Sequence, residues 1–244
     1  MKKIKLIMIT LMTLLAISCK KENKSNNYQS ISGSTVETTN GITYRIYVPT
    51  TSTYKGILVL GSGNDENNPS VGSLDGSTEN ELCKKAADNG YLAAVVQYSK
   101  TPGNSDWNAS AVTIAKDFAK CIEAIAGKYN VAKTKSVVGG YSYASFMLLT
   151  AISIDNSLDF CQGVLAACGA SGEWNAQNFH IPIYAVNCSG NNEGDFNGLA
   201  LYNKIPAVSA IKAKSGGYTD NSCSTHCGGD WTNLLFTKLQ YWLP

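Results

Sequence analysis

Ser142 sits in GGYSYASF, residues 139–146, between the apolar run SVV and an apolar segment that continues to Ser153. A serine hydroxyl is a weak nucleophile at neutral pH and needs a base beside it. If SVVGG is a strand and YASFMLLTAIS a helix, the turn between them is sharp. It lifts one side chain clear at the strand's carboxyl end, where open α/β sheets build their sites. Small residues two before and two after the serine let strand and helix approach, and Gly140 and Ala144 meet that demand. Ser145, the nearest competitor, falls inside the helix. Histidine is the natural base, and the chain has two, His180 and His226. His226 lies in CSTHCGGDW; His180 precedes IPIYAVN and reads as a surface or hydrogen-bonded residue. Carboxylates for a third role are Glu193 and Asp195 in NCSGNNEGDF, or an acid elsewhere such as Asp220. An acyl-transfer oxyanion needs preorganised donors. The Tyr143 amide, just after the serine, is one. Ser62, or else Gly63, in the GSG loop after GILVL supplies another. That loop lacks both a full G-x-G-x-x-G and a P-loop lysine, so it carries no nucleotide fingerprint.

The elements that must position these groups alternate. YRIYVP (44–49) reads as a half-exposed strand. GILVLGSG (56–63), YLAAVVQYS (91–99), KSVVGG (135–140), QGVLAAC (162–168), IPIYAVN (181–187) and VSAIKAK (208–214) read as strands, mostly buried. STENELCKKAADNG (77–90) opens with a Ser/Thr-x-x-Glu capping pattern and stops at Gly90. Residues 106–129, 143–153 and 230–243 follow as helices, with a short one in 194–205. Continuous apolar strands alternating with helices argue a mostly parallel sheet covered on both faces. Only twelve residues separate Cys168 from Ile181, which leaves no room for a helical cap there.

The N-terminus stands apart. Lys2, Lys3 and Lys5 precede an apolar stretch from Leu6 to Ile17, too short to span a bilayer and suited to an export signal. Leu15-Ala16-Ile17-Ser18-Cys19 resembles the lipobox of bacterial lipoproteins, which implies cleavage before Cys19 and its acylation. Residues 1–18 are then a signal peptide, 19–38 a flexible polar tether, and 39–244 one domain. The expected location is exported and membrane-anchored, periplasmic or at the cell surface, with the lipid as the only membrane contact. The chain carries a formal charge of +2, but losing three lysines leaves seventeen basic against eighteen acidic side chains. Arg45 is the only arginine, and no basic cluster suits nucleic acid. Seven cysteines remain beyond Cys19, so at least one stays unpaired. Cys223 with Cys227 is the favoured disulfide, their spacing also suiting two ligands of a Cys/His zinc site. Cys168 with Cys188, at the ends of consecutive strands, is a second. Cys83 and Cys121 belong on helices over opposite sheet faces and should not pair.

With the turn, the glycine loop and the alternation in view, residues 40 to 244 resemble the α/β-hydrolase family. Among its members they look closest to capless dienelactone-hydrolase-like and cutinase-like esterases. The family's G-x-S-x-G has glycine where this chain has Ala144. Its chain order of serine, acid, histidine implies His226 as base, with the acid after IPIYAVN. Glu193, three residues past Gly190, resembles the family's G-x-x-D spacing, and Asp195 comes next. The resemblance implies an α/β-hydrolase fold without a cap, hydrolysing small or polymeric carboxylic esters through an acyl-enzyme. It calls for no cofactor and no metal. Trp174, Trp231, Tyr141 and Tyr143 are expected to border the cleft. A non-catalytic surface lipoprotein that binds a glycan or lipid in the same cleft is the alternative. A triad cleaving amide or carbon–carbon bonds is a third reading. Oligomeric state is open.

Overall fold

A computed structural model describes residues 28, 31, 33–169, 173–190 and 197–244, the side chains of 173 and 174 apart. Eight strands form one sheet: β1 (Ser34–Thr39), β2 (Ile42–Tyr47), β3 (Ile57–Gly61), β4 (Leu92–Gln97), β5 (Ser136–Tyr141), β6 (Val164–Ala167), β7 (Ile183–Cys188) and β8 (Gly216–Asp220). Their order across the sheet is β1-β2-β4-β3-β5-β6-β7-β8. Pairings of β1 with β2 and β2 with β4 are antiparallel, and all from β4 to β8 are parallel.

Among the described residues, five α-helices accompany the strands: α1 (Ser77–Asp88), α2 (Trp107–Tyr129), α3 (Tyr143–Ile154), α4 (Gly198–Lys204) and α5 (Thr232–Trp242). They divide between the two faces, and strand alternation sends side chains to each in turn. Ile57 and Val59 of β3 pack into the core that holds α2 and α3. Leu58 and Leu60 pack into the core that holds α1 and α5. Both faces are therefore covered, which is why β3 and β5 are buried along their full length. Cys83 and Cys121 fall in opposite cores, and with Cys161 they are free thiols. Helix α2 starts at Asp106, whose carboxylate accepts from the Ala109 amide, and ends at Asn130 in the left-handed region.

Three sequence expectations shift. The ordered sheet starts before residue 39: Ser34–Thr39 pairs along its length with β2, and the Tyr28 hydroxyl donates to Gln97 at 3.0 Å. The export signal, Cys19 and the tether as far as residue 27 lie outside the described residues. Helix α1 has Gly76 at its N-cap with no side-chain cap, so the Ser/Thr-x-x-Glu pattern is not used as a capping box. The last strand is GGYTD, not VSAIKAK: residues 212–214 form a 3-10 turn, and Val208 is 97% exposed. Two glycines argue against a strand by propensity. Tertiary packing overrides this, because a Cβ at Gly217 would collide with the backbone of Gly198 and Leu199 in α4. Among the described residues no helix is long and apolar enough to cross a membrane.

Candidate active site

Ser142 stands between β5 and α3 with φ 52° and ψ −119°. Positive φ is costly for a residue with a side chain, on the order of 1–3 kcal/mol. The surroundings enforce it. The Ser142 amide donates to the Ala167 carbonyl at 2.8 Å, and the Ser142 carbonyl accepts from the Phe146 amide at 3.0 Å. A Cβ at Gly140 would lie 2.7 Å from the backbone of Ala144 and Ser145, so glycine is required there. Ala144 is accommodated because the strand opposite carries Gly61: a Cβ on Gly61 would come within 3.1 Å of the Ala144 methyl. The methyl takes space that the neighbouring strand leaves empty. Helix α3 thus begins at the serine, with the Tyr143 amide in its first turn at the positive end of the helix dipole.

His226 meets this serine. Its Nε2 lies 2.7 Å from the Ser142 Oγ, although the two residues are 84 positions apart. His226 belongs to the loop that follows β8, and two disulfides tie that loop down. Cys168, just after β6, joins Cys227; Cys188, at the end of β7, joins Cys223. The four expected cysteines are all used, but with exchanged partners. Cys223 and Cys227 each reach across to a strand end, and neither pairs within its own short segment. Each bridge therefore fixes the histidine loop to the sheet. The sulfurs of Cys168 and Cys227 and a His226 ring nitrogen lie within 4.8 Å of one another, a spacing that could suit a metal, but the disulfide occupies both thiols.

His180 is elsewhere, with Nε2 2.6 Å from Asp159 Oδ1 at the surface. Glu193 and Asp195 lie outside the described residues. Gly190, after β7, lies next to the histidine loop: a Cβ on it would fall 2.6 Å from the Ser224 Cβ. Asp220 is committed to another task. Its Oδ1 accepts from the Ser222 amide and hydroxyl, and its Oδ2 from the Trp231 indole N–H at 2.8 Å. These bonds, Ser222's first, hold its carboxyl below the usual range. A carboxyl depressed in the fold stabilises it above the unfolded pKa of about 3.9 and loses that effect as pH falls through the folded value. Asp220→Asn is accordingly expected to lower Tm at neutral pH, and the gap to wild type should be narrower at acid pH, below the unfolded carboxyl's pKa of about 3.9. Thermal unfolding at both pH values checks this; a gap of equal size at both would contradict it.

The cleft over Ser142 has a volume of about 490 Å³ and is lined by Asn64, Asp65, Glu66, Ser142, Tyr143, Phe146 and His226. Of the expected cleft aromatics whose side chains are described, only Tyr143 is there, its hydroxyl 2.6 Å from the Thr101 hydroxyl. Tyr141 points to the opposite face: it is buried in the core with α1 and α5, where burial pushes its phenol well up. The side chain before a serine at a strand end alternates away from the serine. Trp231 is also buried, drawn inward by Asp220. The Trp174 side chain lies outside the described residues. Ser62 is buried, its carbonyl accepting from the Tyr98 hydroxyl and its Oγ from the Ser73 amide. The backbone then runs beside the serine, so that a Cβ on Gly63 would lie 3.7 Å from the Ser142 Oγ. Burial pushes the Glu79 carboxyl up, and backbone amides, its own before that of Gly63, draw it partly back.

Four lining residues were not anticipated. Phe146 had a readable signal, since it stands one helical turn beyond Ser142. Asn64, Asp65 and Glu66 directly follow the glycine loop at the end of β3, a place where sites form.

No family model matches the chain, and no curated protein matches its sequence. Solved structures do match. A lidless α/β serine hydrolase from Xanthomonas campestris superimposes with a TM-score of 0.62 at 12% identity, covering 89% of this chain and 99% of its own. A thermophilic esterase from the planctomycete Thermogutta terrifontis gives 0.59 at 12% identity, covering 86% and 91%. A Klebsiella pneumoniae protein assigned as a dienelactone hydrolase gives 0.59 at 11% identity, covering 87% and 98%. At such identities the likeness concerns the fold. The strand order and the helices on both faces agree with it: this chain has the α/β-hydrolase fold, and no lid is present among the described residues.

Proposed function

We propose that the protein is a serine hydrolase that cleaves carboxylic esters through an acyl-enzyme. The observation that carries this reading is the 2.7 Å contact between Ser142 Oγ and His226 Nε2, on a strained turn that opens into a cleft. In this mechanism Ser142 Oγ attacks the carbonyl carbon while His226 Nε2 takes its proton. The oxyanion is held by the Tyr143 amide at the start of α3 and by the Ser62 amide. The Gly63 amide is the second candidate for that place. His226 then gives the proton to the departing alcohol, and a water activated by the same imidazole releases the acid. Glu193 is the carboxylate assigned to orient His226, with Asp195 as the second choice. A lidless cleft favours bulky or polymeric esters as well as small ones. Two disulfides beside the site suit an oxidising compartment, in keeping with export and anchoring through an acylated Cys19.

The test is covalent labelling with a fluorophosphonate probe. Wild type is expected to label, and Ser142→Ala and His226→Ala are expected not to. Absence of labelling in folded wild type would remove the hydrolase reading and leave ligand binding in the cleft as the next assay.

A further inference from the structure

We propose that the cleft selects esters bearing a positive charge and disfavours anionic ones. This specificity rests on the hydrolase reading above. Asp65 and Glu66 share the cleft with Ser142 and His226, and among the described residues no lysine or arginine lines it. Neither carboxylate has an ion-pair partner among the described residues.

The loop that presents them is fixed. Asn64 Oδ1 accepts from the amides of Asp65 and Ser70, and its Nδ2 donates to the Ser70 carbonyl and the Tyr98 hydroxyl. Asp65 Oδ1 accepts from the Asn67 amide at 2.9 Å, and the Glu66 carbonyl accepts from the Asn104 amide at 2.8 Å. The remaining wall is aromatic. Phe146 and Tyr143 line the cleft, and Trp107 packs behind them with its ring 5.0 Å from that of Phe146. Ring faces attract cations, most strongly when water is displaced. Unpaired carboxylates beside an aromatic wall lower the potential of the cleft and concentrate cations in it. Both carboxylates are exposed, so solvent weakens the attraction.

The experiment compares butyrylthiocholine, its neutral isostere S-(3,3-dimethylbutyl) thiobutyrate, and the thiobutyrate of 2-mercaptoethanesulfonate. The readout is the ratio of kcat/KM values, which is internal to each enzyme preparation. Wild type is expected to prefer the cation over the neutral isostere by about 5- to 20-fold, and to turn over the anion more slowly than the neutral ester. The preference should shrink towards about 2-fold in Asp65→Asn/Glu66→Gln and in high salt, where the Debye length is about 3 Å. Equal turnover of cation and neutral isostere by wild type would overturn the proposal, as would a preference that survives in the double variant. Ligand-observed NMR with choline against 3,3-dimethylbutanol reads the same selectivity without turnover. Choline bound preferentially by a protein that hydrolyses nothing would keep the charge selectivity and sink the hydrolase reading. Neutral-ester hydrolysis without choline preference would do the reverse.

Discussion

Ser142→Ala and His226→Ala are each expected to lower ester turnover by about 10⁴- to 10⁶-fold, and the double variant no further. The two groups act as one unit: the hydroxyl has no proton acceptor without the imidazole, and the imidazole has nothing to activate without the hydroxyl. Their 2.7 Å separation is what couples them. Residual activity over water should persist, because the oxyanion amides belong to the backbone and survive both substitutions. Single-turnover kinetics with an activated ester measures all three variants. Additive losses in the double variant would show that Ser142 and His226 do not act together. Ser145→Ala is the informative companion. That hydroxyl is buried and donates to the Gly169 carbonyl, so it shares the sequence neighbourhood but not the chemistry.

Breaking the Cys168–Cys227 bridge is expected to have the second largest effect, on stability and activity together. The bridge closes a loop of 59 residues, for which the chain-entropy account gives about 4 kcal/mol. Cys227 directly follows His226, and Cys168 directly follows Ala167, whose carbonyl holds the Ser142 amide. The bridge therefore joins the segment of His226 to the one that supports Ser142. Cys168→Ser/Cys227→Ser should lower Tm and reduce kcat well beyond any change in KM, since a displaced base costs proton transfer before it costs binding. Dithiothreitol treatment of wild type should reproduce both effects. Unchanged kcat in a folded double variant would mean that the loop holds His226 without help.

What the sequence made legible follows from how local the determinants are. The turn at Ser142 could be read because a strand, two small residues and a helix adjoin within twenty positions. Its departure at Ala144 became intelligible only across the sheet, where Gly61 supplies the missing space. The histidine followed from scarcity and chain order. The disulfide partners could not be read, because Cys168 and Cys188 end adjacent parallel strands and each faces a different part of the same loop. Tyr141 and Trp231 were misplaced for a related reason: nearness in sequence to a site does not say to which face a side chain turns. The edge strand β8 was hidden by its glycines, whose reason is the close approach of α4.

Among the described residues, five with side chains adopt positive φ, and they divide sharply. Asn40 and Asn130 sit in turns, where asparagine tolerates that conformation well. Ser142, Cys168 and Cys227 all belong to the site. At Cys168 and Cys227 the bridge between them offsets the cost of that backbone, whereas at Ser142 glycine would fit the backbone better than the native residue does and would lose the hydroxyl in the exchange. Folding alone and the proposed chemistry thus rank amino acids in opposite order at that one turn. A lineage under selection for abundance alone would drift there first, and it would keep its sheet and its bridges while the hydroxyl disappeared.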